Sequence, residues 1–146
     1  MSGLWFEELT EGLEIDAGWR RTLTDADNVL FCGMTMNVAR LHLDAEYMKD
    51  SEFGRPLMNS LFTLGLMIGI SVNDTTVGTT IGNLGMTDVR FPKPTFHGDT
   101  IRVRTTVKAK RDSASRPSQG IVTLVHEAFN QHEDMVATCE RGALMH

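Results

Sequence analysis

The stretch from Leu57 to Val72 reads LMNSLFTLGLMIGISV and carries no lysine, arginine, aspartate or glutamate. A membrane span needs about 20 apolar residues, and this run is shorter and laced with glycine and serine. A helix that is apolar all round inside a small globular chain has to be buried on every side. The expectation is therefore a sheet wrapped around a central helix, with Pro56 at the helix-opening position. The polar stretch just before it, Asn37 to Asp44, is the natural place for chemistry.

The 146 residues suit one domain, residues 1–146, with a modest core. A net charge of −5 argues against nucleic acid as a main partner, because phosphate contacts need a clustered basic surface. No membrane partner is expected either. The N-terminus, MSGLWFEELTEGLEID, has acidic residues where a leader peptide has basic ones, so a cytoplasmic location is expected. Cys32 and Cys139 form no metal-binding spacing. They read as buried reduced thiols, with one disulfide between them left open.

Local patterns outline the rest. Leu4 to Ile15 reads as coil or a short strand covering the core with Trp5 and Phe6, and Trp19 to Leu23 as a strand. Thr24 resembles an N-cap for a helix running to about Cys32, and Asp44 resembles a cap for a turn of helix after it. Beyond Asn73-Asp74 the pattern turns to period two, predicting strands over 81–91, 99–109, 120–129 and 135–144. Ile101, Val103, Thr105 and Val107 face one way there, and Arg102, Arg104 and Lys108 the other. Gly82 and Gly85 predict bends. The fold class is α+β, in one domain.

In the segment Asn37-Val-Ala-Arg-Leu-His42-Leu-Asp44, the histidine is the candidate general base. The start of the apolar helix supplies free N–H groups and positive dipole charge, which suit an oxyanion developing on a thioester. His97 reads as a turn residue and His126 as a satisfied or surface strand residue.

These segments together resemble the MaoC-like dehydratases, the hotdog-fold family that includes the (R)-specific enoyl-CoA hydratases. Family members carry Gly-Asp-x-Asn-Pro-Ile-His ahead of Pro-Ile-Ala-His-Gly-Met. The counterparts are His42 followed by Leu-Asp-Ala-Glu-Tyr, and Pro56-Leu57-Met58-Asn59-Ser60-Leu61. Arg90-Phe91-Pro92-Lys93-Pro94 and Gly98-Asp99 match a later family pattern. NSLFTLGLMIGISVNDTT and NLGMTDVRFPKP resemble the mesaconyl-CoA hydratase-like branch. There are departures. Asn37 stands where the family has aspartate, Arg40 where it has proline, and Ser60 where it has glycine.

The resemblance implies a single hotdog domain with an antiparallel sheet around the apolar helix. It also implies a homodimer, or a multiple of dimers, with the site at the subunit interface. The implied activity is a hydratase or dehydratase, a carbon–oxygen lyase acting reversibly on an enoyl-CoA thioester. A branched dicarboxylic substrate such as mesaconyl-CoA is the finer expectation. His42, Asn37 and Ser60 are the expected catalytic residues, with Asn37 holding the water. Arg40, Asn59, Arg90 and Lys93 are the expected substrate-binding residues, Arg40 as a clamp for a free carboxylate. Lys93, Arg102 and Arg104 are candidates for coenzyme A phosphates. No metal or redox cofactor is implied, coenzyme A being part of the substrate. The alternatives are a hotdog acyl-CoA thioesterase and a non-catalytic acyl-CoA-binding module.

Overall fold

The computed structural model describes residues 3–146. The element order is β1 (Glu14–Asp16), β2 (Arg21–Thr22), α1 (Asp25–Met34), α2 (Arg40–Leu43), α3 (Ala45–Met48), α4 (Ser60–Thr75), β3 (Thr80–Arg90), β4 (Thr100–Asp112), β5 (Gly120–Phe129) and β6 (Met135–Met145). All the strand pairings are antiparallel, in the order β1-β4-β5-β6-β3, with β2 also on β4. The sheet curves around α4, which packs against β4, β5 and β6. This is the α+β hotdog arrangement, and the long strands lie within a few residues of the ranges predicted from period two. No described helix is long and apolar enough to cross a membrane.

Local chemistry accounts for the helix ends. Thr24 closes a capping box with Asp27 at the start of α1. The Asp44 carboxylate accepts from the Tyr47 amide at 2.8 Å and caps α3. The apolar helix starts later than Pro56. The amides of Leu57 and Met58 donate to Leu41 O and Thr95 O, both at 2.9 Å, which holds this stretch extended. Asn59 then becomes the N-cap, its Oδ1 accepting from the Leu61 amide at 3.0 Å. At the far end the helix continues through polar Asn73-Asp74-Thr75, where Thr75 Oγ1 donates to Ser71 O at 2.7 Å.

A second correction concerns burial. The helix is not covered on every side: Leu61, Gly65 and Gly69 form an exposed line at a spacing of four, with Leu61 59% exposed. The sheet wraps only one side of α4. The opposite line keeps the apolar composition without a cover from this chain.

The sheet's inner face carries three sets of residues. Val103, Ala128 and Cys139 belong to one apolar cluster with Leu23, Met67 and Ile70. Two residues along each strand come Thr105, His126 and Arg141, all buried. Two further on come Val107, Leu124 and Ala143, in a second cluster with Leu9 and Met145. Period two puts these residues on one face, and because Cys139 pairs with His126 and Arg141 with Leu124, the three polar residues form a diagonal seam between the two apolar clusters. Phe6 packs on the second cluster, so close to Gly120 that a Cβ there would sit 2.1 Å from its ring, while Trp5 stays 47% exposed. Both cysteines are buried and unbridged. The pairing of β3 with β6 shifts register at Gly82 and Gly85, the latter at φ +153°, so both glycines mark bulges.

Candidate active site

A cavity of about 320 Å³ opens where the α2 segment, the start of α4 and the end of β3 meet. Leu41, Leu57 and Phe91 give it apolar walls, and His42, Ser60 and Lys93 bring polar groups to them.

His42 sits in the single turn of α2. This turn has no side-chain cap of its own at Ala39. Asn37 shapes its entry instead, its Oδ1 accepting from the Ala39 amide at 3.1 Å. The ring of His42 reaches across to the pre-helix segment, with Nδ1 2.9 Å from Leu57 O. A carbonyl only accepts, so Nδ1 carries a proton, and in the neutral ring Nε2 holds the lone pair. Among the described residues Nε2 has no hydrogen-bond partner. The Leu57 amide returns the contact by donating to Leu41 O. The loop and the helix entry are thus tied in both directions.

Ser60 opens α4 at the cavity wall. The first amides of a helix have no carbonyl one turn back. Asn59 takes the Leu61 amide with its side chain and the Thr63 amide with its carbonyl at 3.2 Å. The Ser60 amide remains without a partner among the described residues, at the positive end of a long helix. A developing oxyanion fits such a place. Asn59 itself is buried and does not line the cavity.

Lys93 lines the cavity while pairing with Asp134 on the solvent side, and that ion pair holds the Asp134 carboxyl below its ordinary range. The structure brings His42, Ser60 and Lys93 together and leaves other candidates outside. Arg40 donates to Asp44 at 2.9 Å and stacks on Tyr47 at 4.3 Å, away from the cavity. The contacts from the Tyr47 amide and from Arg40 hold Asp44 below the usual carboxylate range, so it is an occupied cap rather than a base. Asn37 faces the backbone of its own turn, and Arg90 is an exposed residue 3.9 Å from Asp88. Arg102 pairs with Glu133 and Arg104 with Asp16 on the outer face of the sheet. His97 pairs with Asp25 at 3.0 Å.

His126 is fully buried. Its Nδ1 lies 2.8 Å from Thr105 Oγ1, and its Nε2 accepts from Arg141 Nε at 3.1 Å. Burial, and then the charge of Arg141, push its pKa down to about 3. It is a neutral structural group. Sequence reasoning passed over Asn28, a buried side chain of α1 bonded to both halves of the site. The one available signal was its place one turn before Cys32 on an otherwise unremarkable helix.

The MaoC like domain model matches residues 8–129. The chain belongs to the MaoC-like domain family. Protein MaoC of Klebsiella aerogenes is 37% identical over 106 residues, which is 73% of this chain and 31% of that protein. A mesaconyl-CoA hydratase of Haloarcula marismortui is 32% identical over 83% of this chain and 34% of the relative. This MaoC-like chain therefore spans about a third of the length of these curated relatives. Among solved structures, the MaoC-like dehydratase from Rhodospirillum rubrum superposes with a TM-score of 0.84 at 28% identity, covering 98% of this chain and 97% of that one.

Proposed function

We propose that this MaoC-like domain catalyses the reversible hydration of an enoyl-CoA thioester, with His42 as the general base. The observation that carries the reading is the fixed ring of His42, a residue lining the cavity: Nδ1–H is committed to Leu57 O, and Nε2 has no partner among the described residues. In this reading Nε2 takes a proton from water as the oxygen attacks the β-carbon. The thioester oxygen gains charge and is stabilised by the Ser60 amide and the helix dipole. The proton then passes from His42 to the α-carbon. The sum is one water added, hydroxyl at the β-carbon and hydrogen at the α-carbon. Every group the scheme uses is a side chain or amide of the protein, and coenzyme A enters only with the substrate. Asn37 has no step in it, because its side chain serves the Ala39 amide.

The finer reading is a branched dicarboxylic acyl group such as mesaconyl. It draws support from the similarity to mesaconyl-CoA hydratases and from Lys93, a cation on the cavity wall. Arg40 gives it no support, being bonded and stacked elsewhere.

The active form in this reading is a homodimer. Two separate features support it: the uncovered line on α4, with Leu61 59% exposed, and the edge strand β3, whose backbone groups are unpaired on one side and where Leu84 is 55% exposed. Light scattering at micromolar concentration should give twice the chain mass or a multiple of it. An active monomer would refute this part.

The test of the reaction is a panel of enoyl-CoA thioesters. Absorbance of the conjugated thioester should fall without release of free thiol. Thiol release would favour a thioesterase instead, and binding with neither signal a non-catalytic module.

A further inference from the structure

Asn28 is 4% exposed and lies on the inward side of α1, outside the cavity. Its amide makes three short bonds, all to the site's scaffold. Nδ2 donates to His42 O at 2.8 Å and to Leu57 O at 3.0 Å. Oδ1 accepts from the Asn59 amide at 2.9 Å. The orientation of the amide is fixed by chemistry: two carbonyls accept only, and an N–H donates only. Leu57 O is the same carbonyl that receives His42 Nδ1–H. One side chain therefore grips the histidine backbone, the acceptor of its ring and the residue immediately before Ser60. A hydroxyl has one donor and cannot serve both carbonyls. Aspartate would set a carboxylate against them. Glutamine is longer by a methylene in a filled space.

We infer that Asn28 is the positioning residue of this site, setting the tautomer of His42 and its placement relative to the Ser60 amide. Its effect on turnover rests on the hydratase reading; its effect on the imidazole does not. A misplacement of about 1 Å in such a constellation costs on the order of 100-fold in rate. Uniform loosening of the fold would lower stability without moving the tautomer.

Asn28→Ala leaves two buried carbonyls without a donor and risks the fold. Asn28→Asp also removes the donor to both carbonyls, but it is isosteric and keeps the acceptor for the Asn59 amide. It is therefore the variant used once circular dichroism shows that it folds, and the wild-type exchange measurement stands without it. In wild type, which needs no substitution, the Asn28 side-chain amide protons should exchange slowly with solvent. Imidazole nitrogen shifts taken well above the ordinary histidine pKa of about 6.5 should show His42 as the Nδ1–H form, assigned against His42→Ala. In Asn28→Asp that form should give way to a mixture of tautomers. The variant's kcat on the enoyl-CoA turned over by wild type should fall about 100-fold, with KM within about threefold. Fast exchange of the Asn28 amide in wild type, or an unchanged His42 tautomer in Asn28→Asp, would overturn the inference, whatever happens to the melting temperature. A kcat within about threefold of wild type would overturn it as well. If wild type turns over no enoyl-CoA, the hydratase reading fails. The tautomer and exchange measurements then decide the role of Asn28 alone.

Discussion

The cavity end of the molecule and the interior of its sheet each hold a histidine, and the two are bonded in opposite ways. His42 lines the cavity and spends Nδ1 on a backbone carbonyl, while its Nε2 has no partner among the described residues. His126 spends both nitrogens, one against Thr105 and one as acceptor for Arg141, inside the polar seam of the core. Arg141 is itself buried, and burial lowers its pKa. The pair shows what separates the proposed base from a structural histidine. The difference lies in which ring atoms are already occupied and whether the residue lines a cavity.

The sharpest way to break this contrast is to remove each ring in turn. His42→Ala should cut kcat/KM for enoyl-CoA hydration about 100-fold or more, the usual cost of a lost general base, with little change in urea stability. His126→Leu should do the reverse. It leaves the Arg141 Nε and the Thr105 hydroxyl short of a partner in the core, at a cost of about 1–3 kcal/mol in urea unfolding. Its turnover at a temperature where it remains folded should match wild type. An activity loss in His126→Leu as deep as that in His42→Ala would end the distinction.

The pH dependence of stability sharpens it further. The folded pKa of His126, about 3, lies below the ordinary 6.5, so the unfolded chain binds more protons across that interval. Stability contributed by the neutral ring is present above pH 6.5 and is lost as pH falls towards 3. Asp27, Asp44, Glu133 and Asp134 also have lowered pKa values, but their ordinary values are 3.8 to 4.5, so they act further down. Between pH 6.5 and 4.5 unfolding free energy should fall with acidification by up to about 1.4 kcal/mol per pH unit. His126→Leu should flatten that interval.

The smallest expected effect belongs to Arg40. Bonded to Asp44 and stacked on Tyr47, it is a surface residue clear of the cavity. Arg40→Ala should change turnover by no more than about twofold, equally on crotonyl-CoA and mesaconyl-CoA. A selective loss on mesaconyl-CoA would return Arg40 to the binding site.

Much of the fold was legible because its determinants are periodic. Alternation over Ile101 to Val107 predicts a half-buried strand, and the structure buries that face. The charge-free run predicts a helix at the centre of the sheet, and Thr24 and Asp44 predict caps through their own side chains. These are local properties, set by the pleat, the helix turn and bonds within a few residues. The site was legible only in part. His42 and Ser60 stand out by residue type and place, and both line the cavity. The place of Arg40 was not legible, because its neighbours Asp44 and Tyr47 become partners only once the short helices form. The start of α4 moved from Pro56 to Ser60 because the amides of Leu57 and Met58 find carbonyls at Leu41 and Thr95, distant in sequence.

By itself the sequence determined the long strands, the capped helices, their order and a central apolar helix, because those follow from spacing along the chain, whereas the turn of α2 that carries His42 left no such signal. Tertiary structure alone decided which side of that helix stays bare, which histidine has a free nitrogen, and that Asn28 ties His42 to the helix entry. Each of these depends on which carbonyl, amide or ring arrives from another element. Spacing along a chain carries no record of that arrival.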